Sequence, residues 1–231
     1  MYVFTWNMQG SNAGTENKWN YGVKALLKSL DTTPILCLQE CGGVPDSAQW
    51  EGAINFALGN GLNDTVDIYS WGGSKTRPAY YIFFHNWDDG SNRVNTAIVT
   101  SILPEDIADS VMLIIPAGSK VWRPALGVLF NDTWVFSFHA ISPNGPDGAD
   151  LLTAVSGKCA KWVVGADWNR EPANLTAPAG SVICPPGANT YSVQKPKKKY
   201  DYCVCTGTTA ITGSVQTTII TSDHYPVGYV F

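Results

Sequence analysis

The chain has 231 residues, 45% of them hydrophobic, 12% aromatic and only 15% charged, with a formal net charge of −4. So apolar and aromatic a composition excludes a disordered chain, and no short repeat marks a collagen or a coiled coil. A net negative chain cannot hold nucleic acid by bulk charge, so any phosphate-binding role needs a local basic patch or a metal ion.

In chain order, the opening MYVFTWNMQG lacks a basic segment leading into a long apolar stretch, and no signal peptide is expected there. No apolar run approaches ~18 residues, so no membrane-spanning helix is expected either. Short apolar runs bounded by Gly, Pro, Asn and Asp predict strands near 2–6, 34–38, 66–71, 79–85, 95–101, 111–115, 125–130, 133–138, 162–166, 201–205, 216–221 and 226–230. Helical spacing predicts three helices. The first spans 18–30, with Val23, Leu26, Leu27 and Leu30 on one face; the second spans 46–59, with Trp50, Ile54, Ala57 and Leu58; the third spans 147–161, with Leu151, Leu152, Val155 and Cys159. The segment 172–200, rich in Pro, Gly and Ala, reads as a long functional or edge-covering loop rather than a domain boundary. One domain over 1–231 is therefore expected, with two packed sheets and helices outside.

Six cysteines, Cys37, Cys41, Cys159, Cys184, Cys203 and Cys205, are too few for a disulfide scaffold and have no histidine at zinc-ligand spacing. Buried thiols and bridges both remain open. Cys203 and Cys205 share a face of one strand and cannot readily bond to each other, whereas Cys184, in the long loop, could reach another cysteine or a partner chain.

Residues able to do chemistry gather at strand ends. Asn7 follows the strand YVFTW, and Glu40 follows ILCL. A carboxylate at a sheet rim suits a hard cation such as Mg²⁺, which takes few protein oxygens and keeps several waters. His139 closes WVFSFH. Asp167 and Asn169 follow WVVGA two residues apart, so both can face one phosphate or one water. Asp223 and His224 follow TTIITS. The chain has three histidines, and two of them stand in these motifs. Together these groups are the inventory for metal-assisted hydrolysis: an ion for phosphate charge, a base for water, and donors for the developing charge. The run QKPKKKY contributes Lys195, Lys197, Lys198 and Lys199 just before Asp201. It reads equally as a solvated loop or as a salt-dependent contact to a phosphate backbone, with nuclear localisation a weaker option.

The ordered runs TWNMQGS, LQECG, SFHA, GADWNREP, YDYCV and SDHYPVG resemble the deoxyribonuclease I-like endonuclease/exonuclease/phosphatase superfamily. Three further runs, Glu16–Trp19 (ENKW), Arg93–Val99 (RVNTAIV) and Arg123–Gly127 (RPALG), resemble one branch of it, the catalytic B subunits of cytolethal distending toxins. The likeness runs from about 3 to 230.

It implies a four-layer α/β (α+β) sandwich of two packed mixed sheets flanked by helices, with the site at one end. It also implies a Mg²⁺-dependent endodeoxyribonuclease (Mn²⁺ or Ca²⁺ being alternatives), acting as a secreted genotoxin in the target-cell nucleus and carried by delivery subunits. Phosphoinositide phosphatase activity is the alternative at the same site. By this resemblance Glu40 is the main metal ligand, helped by Asn7, and His139 and His224 are the acid–base pair, in either order. Asp223 supports His224, Asp201 supports His139, and Asp167 and Asn169 orient water and phosphate. Arg93 binds substrate phosphate, as do Lys197 and Lys198 on the functional reading of the lysine run. Arg123 is either a second phosphate contact or a structural arginine. Where deoxyribonuclease I pairs its first catalytic histidine with a glutamate, this chain offers Tyr80 or Tyr81.

Overall fold

The computed structural model describes residues 1–10, 15–59, 62–74, 76–88, 93–116 and 123–231. The strands are β1 (Tyr2–Asn7), β2 (Ile35–Gln39), β3 (Gln49–Gly59), β4 (Leu62–Ser74), β5 (Arg77–His85), β6 (Thr96–Thr100) and β7 (Val111–Ile114). They continue with β8 (Ala125–Phe130), β9 (Thr133–His139), β10 (Trp162–Asp167), β11 (Ser181–Cys184), β12 (Asp201–Thr206), β13 (Ser214–Val215) and β14 (Val227–Val230). One sheet has the order β13-β14-β1-β2-β6-β5-β4-β3, the other β11-β12-β10-β9-β8-β7.

Each sheet has one parallel pair, β1 with β2 and β9 with β10, and the other pairings are antiparallel. Parallel neighbours need a crossover, and the α-helices of the described residues lie in those two crossovers. Between β1 and β2 the chain winds through α1 (Thr15–Asn17), a π-helical stretch (Lys18–Val23) and α2 (Lys24–Leu27); between β9 and β10 it forms α3 (Gly148–Lys158). The first predicted helix thus begins and ends three residues early, and α3 falls inside the third.

Strand alternation decides which residues face which layer. In β1 and β2, Val3, Ile35 and Cys37 point into the core shared with the second sheet. Phe4, Trp6, Leu36 and Leu38 point the other way, onto Trp19, Val23, Leu26 and Leu27 of the helical crossover. Each such fully buried large side chain contributes about 1.5–3 kcal/mol. The two sheets approach each other closely at Gly165 of β10, where a Cβ would lie 3.1 Å from the Cys37 Cβ and 3.2 Å from that of Thr5. This puts the ends of β1 and β2 directly against the ends of β9 and β10.

Three sequence expectations fail. The segment predicted as a helix over 46–59 is the edge strand β3, paired with β4 and alternating strictly between exposed and half-buried residues over 51–58. Register shifts at Trp50/Gly52 and Ala57/Gly59 blur that alternation in the sequence, and the 13-residue β4 supplies the hydrogen bonds that select a strand. The predicted strand 216–221 is a turn: the Ile219 amide donates to Gln216, the Gln216 amide donates to Pro226, and Ile220 is exposed. The apolar residues there bridge an excursion that carries His224 to the sheet rim. Within the loop predicted over 172–200, Ser181–Cys184 forms β11 on β12. All six cysteines are buried free thiols, and the Sγ atoms of Cys184 and Cys205 lie 3.8 Å apart.

Candidate active site

Register builds the site. At the rim of the second sheet Asp167 pairs with His139 of the parallel neighbour and with Asp201 of the antiparallel one, so three functional residues stand in a row. In the first sheet Asn7 ends β1 opposite Gln39, the residue before Glu40. Glu40 turns out of its strand in the left-handed region (φ 45°). Close approach at Gly10 packs the β1 turn onto this corner, since a Cβ there would lie 2.2 Å from the Glu40 carbonyl oxygen. The Ser222 hydroxyl donates to the Asn7 carbonyl (2.7 Å) and the Trp6 indole N–H to the His224 carbonyl (3.0 Å), which tie the SDH turn to β1.

A cleft of about 650 Å³ opens over this rim. Its walls hold Glu40, His139, Asp167, Asn169, Asp223 and His224 from the strand-end motifs, and Arg93 and Arg123 from the two arginine motifs. They also hold Gln9, Asp88, Asn144, Tyr191 and Tyr200, for which no sequence motif predicted a role. Gln9 lies inside the quoted TWNMQGS run and accepts the Asp223 amide N–H through its Oε1 (3.2 Å). Tyr200 opens the quoted YDYCV run, next to Asp201, whereas Tyr191 lies in the long loop, where nothing in its local pattern marks it.

Asn7 is buried and central. Its amide nitrogen donates to Asp167 Oδ2 (2.8 Å) and Glu40 Oε1 (3.2 Å), while its oxygen accepts the Gln9 amide N–H (2.8 Å). It therefore braces the two carboxylates against each other. The Asn169 side-chain amide donates to the Ala140 carbonyl (2.9 Å) and lies 3.3 Å from His139 Nε2; its backbone N–H donates to Asp167 Oδ1 (2.9 Å). Arg123 Nη1 donates to the Ala140 carbonyl (3.3 Å), and its charge faces Asp147, Glu40, Asp167 and Asp88 without a direct ion pair to any of them among the described residues.

The support of the histidines differs from the expectation. Asp201, not Asp223, holds His224: Asp201 Oδ2 lies 2.8 Å from His224 Nδ1, whereas Asp223 Oδ1 lies 3.8 Å from Nε2 and is one-third exposed. Asp201 does not support His139, whose Nδ1 is buried without a hydrogen-bond partner among the described residues. Tyr80 and Tyr81 do not line the cleft; Tyr80 packs on Trp71, and Tyr81 on the core between the sheets. Lys197 is exposed and lines no described cleft, and Lys198 lines a neighbouring one.

Electrostatics separate the groups further. Burial opposes charge on His224, but the Asp201 and Asp167 carboxylates, with the Asp201 hydrogen bond and Asp223 adding, carry its pKa up to about 10. Burial, then the positive charges of Arg123 and His224, hold His139 well below the ordinary imidazole value. Burial pushes the Asp167 carboxyl well above the usual carboxylate range against the pull of His224. Burial also raises Glu40, with Asn7 and His224 drawing it back.

The donor set suits a hard divalent cation. Four carboxylates, Glu40, Asp88, Asp167 and Asp223, line a cleft that carries two arginines, and carboxylate oxygens are the ligands such ions take. Asp167, Asp201 and His224 also place ligand atoms within 4.8 Å of one another. The Asp201–His224 hydrogen bond occupies two of those three, whereas Glu40 lines the open cleft and its carboxylate is partly exposed.

The chain is 32% identical to the cytolethal distending toxin B subunit of Escherichia coli, over 98% of this chain and 90% of that one. It superposes on a chain of the Haemophilus ducreyi cytolethal distending toxin crystal structure with a TM-score of 0.82 and 29% identity, covering 99% of this chain and 97% of that one. Truncated Caenorhabditis elegans TDP2, at 15% identity and a TM-score of 0.59, covering 98% and 95%, shares the fold. No family model matches the chain. With two mixed sheets and helices outside them, a rim row of His139, Asp167 and Asp201, and these relatives along nearly its whole length, the chain belongs to the B-subunit family of the cytolethal distending toxins.

Proposed function

We propose that this single-domain chain is a Mg²⁺-dependent endodeoxyribonuclease, the DNA-damaging component of a secreted toxin that acts in the target-cell nucleus after delivery by partner chains. The observation that carries this reading is the convergence of Glu40, His139, Asp167, Asn169 and His224 on one cleft, with Asp201 behind His224. Among the described residues no helix is long and apolar enough to cross a membrane.

Glu40 would hold the Mg²⁺, which would supply positive charge to the scissile phosphate; Asn7, by donating to both Glu40 and Asp167, holds these carboxylates in place for it. Asp167 orients the attacking water and, raised by burial, accepts its proton as the new P–O bond forms. His224 is the proton-bearing imidazole of the pair, fixed by Asp201, and gives a proton to the leaving oxygen as the old P–O bond breaks. His139, neutral, and the Asn169 amide face the phosphate oxygens from the other side of Asp167. Arg93 and Arg123 add positive charge at the cleft wall.

The test is plasmid nicking beside phosphate release from a phosphoinositide, each with Mg²⁺ and with EDTA. Nicking that needs Mg²⁺ and is abolished in Glu40→Gln is the expected result. Phosphate release without nicking would transfer the site to the phosphoinositide reading.

A further inference from the structure

The cleft continues past Asn169. A second cleft of about 330 Å³ adjoins it and shares Asn144, Asn169 and Tyr200 with the first. That volume is at the lower end of small-ligand sites.

Two properties of the junction stand out. The first is aromatic. The Tyr191 ring lies 4.7 Å from the His224 ring, and the Tyr200 ring is stacked on Tyr191 at 5.7 Å and 16°. An aromatic column thus leads from His224 to the residue where the clefts meet. The second is charge. Where the first cleft is rich in carboxylates, the second carries Arg170 and Lys198 against Glu171, a net positive charge. Arg170 is fixed on its wall by donating from Nε to the Asn144 carbonyl and from Nη1 to that of Asn174. Lys198 Nζ stands 3.9 Å from Glu171 and is half exposed, so its ammonium is free to turn into the cleft.

We propose that the second cleft is a subsite for the nucleotide next to the scissile phosphate, with its base on Tyr200 and its phosphate at Lys198 and Arg170. This rests on the nuclease reading and deepens it: the substrate is a polynucleotide strand held on both sides of the reacting bond. A base stacks on any aromatic face, so the subsite would accept all four bases.

The test compares kcat/KM on a DNA oligonucleotide and on bis(4-nitrophenyl) phosphate, a diester too short to reach the second cleft, for wild type, Tyr200→Ala and Lys198→Glu. Thermal melting checks that each variant folds. Tyr200→Ala is expected to lose on the order of tenfold more on the oligonucleotide than on the small diester. Lys198→Glu, at an exposed position that leaves folding intact, is expected to raise KM for the oligonucleotide and flatten its dependence on salt. Equal losses on both substrates, or no loss, would overturn the subsite and leave the nuclease reading standing. Oligonucleotide affinity of Glu40→Gln protein, read by fluorescence anisotropy with and without Lys198→Glu, is the second measurement. Binding that Lys198→Glu weakens, in a protein whose wild type hydrolyses no DNA, would keep the subsite and remove the nuclease reading.

Discussion

His224 and His139 flank one carboxylate oxygen, Asp167 Oδ2, at 3.8 and 3.7 Å from their Nε2 atoms, yet the fold treats them in opposite ways. His224 is held on every side: Asp201 at Nδ1, Tyr191 against the ring, and Ser222 and Trp6 on its backbone. His139 comes straight off a buried strand with Nδ1 unpartnered and Asn169 beside Nε2. The result is one imidazole driven toward the charged form and one toward the neutral form. Two chemically identical side chains acquire separate roles because His224 is hydrogen-bonded to the buried Asp201 carboxylate, whereas for His139, although Glu40 Oε1 lies 3.5 Å from its Nε2, burial and the positive charges of Arg123 and His224 prevail.

The largest effects that would break this contrast come from removing the rings. His224→Ala and His139→Ala should each lower plasmid nicking by roughly 10²–10⁴-fold, with His224→Ala the more severe. A greater loss in His139→Ala would reverse the assignment of roles.

Asp201→Asn comes next. Leaving His224 buried without its carboxylate should cost about 3 kcal/mol in urea unfolding at pH 6. The sign follows from linkage. The folded pKa of His224, about 10, lies above the ordinary 6.5, so the stabilisation is complete below pH 6.5 and is lost as pH rises through 10. The gap between wild type and Asp201→Asn should therefore narrow at pH 9.5 and above; a constant gap would place the proton elsewhere. In metal-free protein, ¹⁵N chemical shifts should show the His224 ring charged and the His139 ring neutral across pH 6–8, and Asp201→Asn should bring the His224 titration down toward that range.

Asn169→Ala tests the lightly held side. Loss of its contact to His139 should reduce nicking roughly tenfold. Because Asn169 sits at φ 48°, where Ala is disfavoured, about 1 kcal/mol of stability should go with it. The smallest effect is expected from Asp223→Asn, within about threefold of wild type, since its carboxylate is partly exposed and 3.8 Å from the ring. An Asp223→Asn defect as deep as that of Asp201→Asn would return the role of holding His224 to the adjacent aspartate.

The residues that do chemistry were legible because they end strands. Asn7, Glu40, His139, Asp167 and Asp201 each close or open an apolar run, and a run's end is visible whatever it packs against. The pairing among them was not legible. Asp223 adjoins His224 in the chain, but the antiparallel register of β10 and β12 is what sets Asp201 beside Asp167 and under His224. The same division holds in the fold. The α3 segment could be read from spacing because an amphipathic helix satisfies its own backbone bonds. The segment 46–59 could not, because Ile54, Ala57 and Leu58 fit a helical face as well as a strand, and the choice belonged to β4, the strand that pairs with it.

By itself, then, the sequence determined the family, the two-sheet architecture and the set of polar groups at the strand ends, because ordered motifs and apolar periodicity are local properties of the chain. Only the tertiary structure decided which carboxylate charges which imidazole, that Tyr191 and Tyr200 carry the cleft beyond His224, and that Lys198 rather than Lys197 borders it. Those outcomes depend on register and on burial, and both are set by residues distant in sequence whose contact exists only once the two sheets have closed on each other.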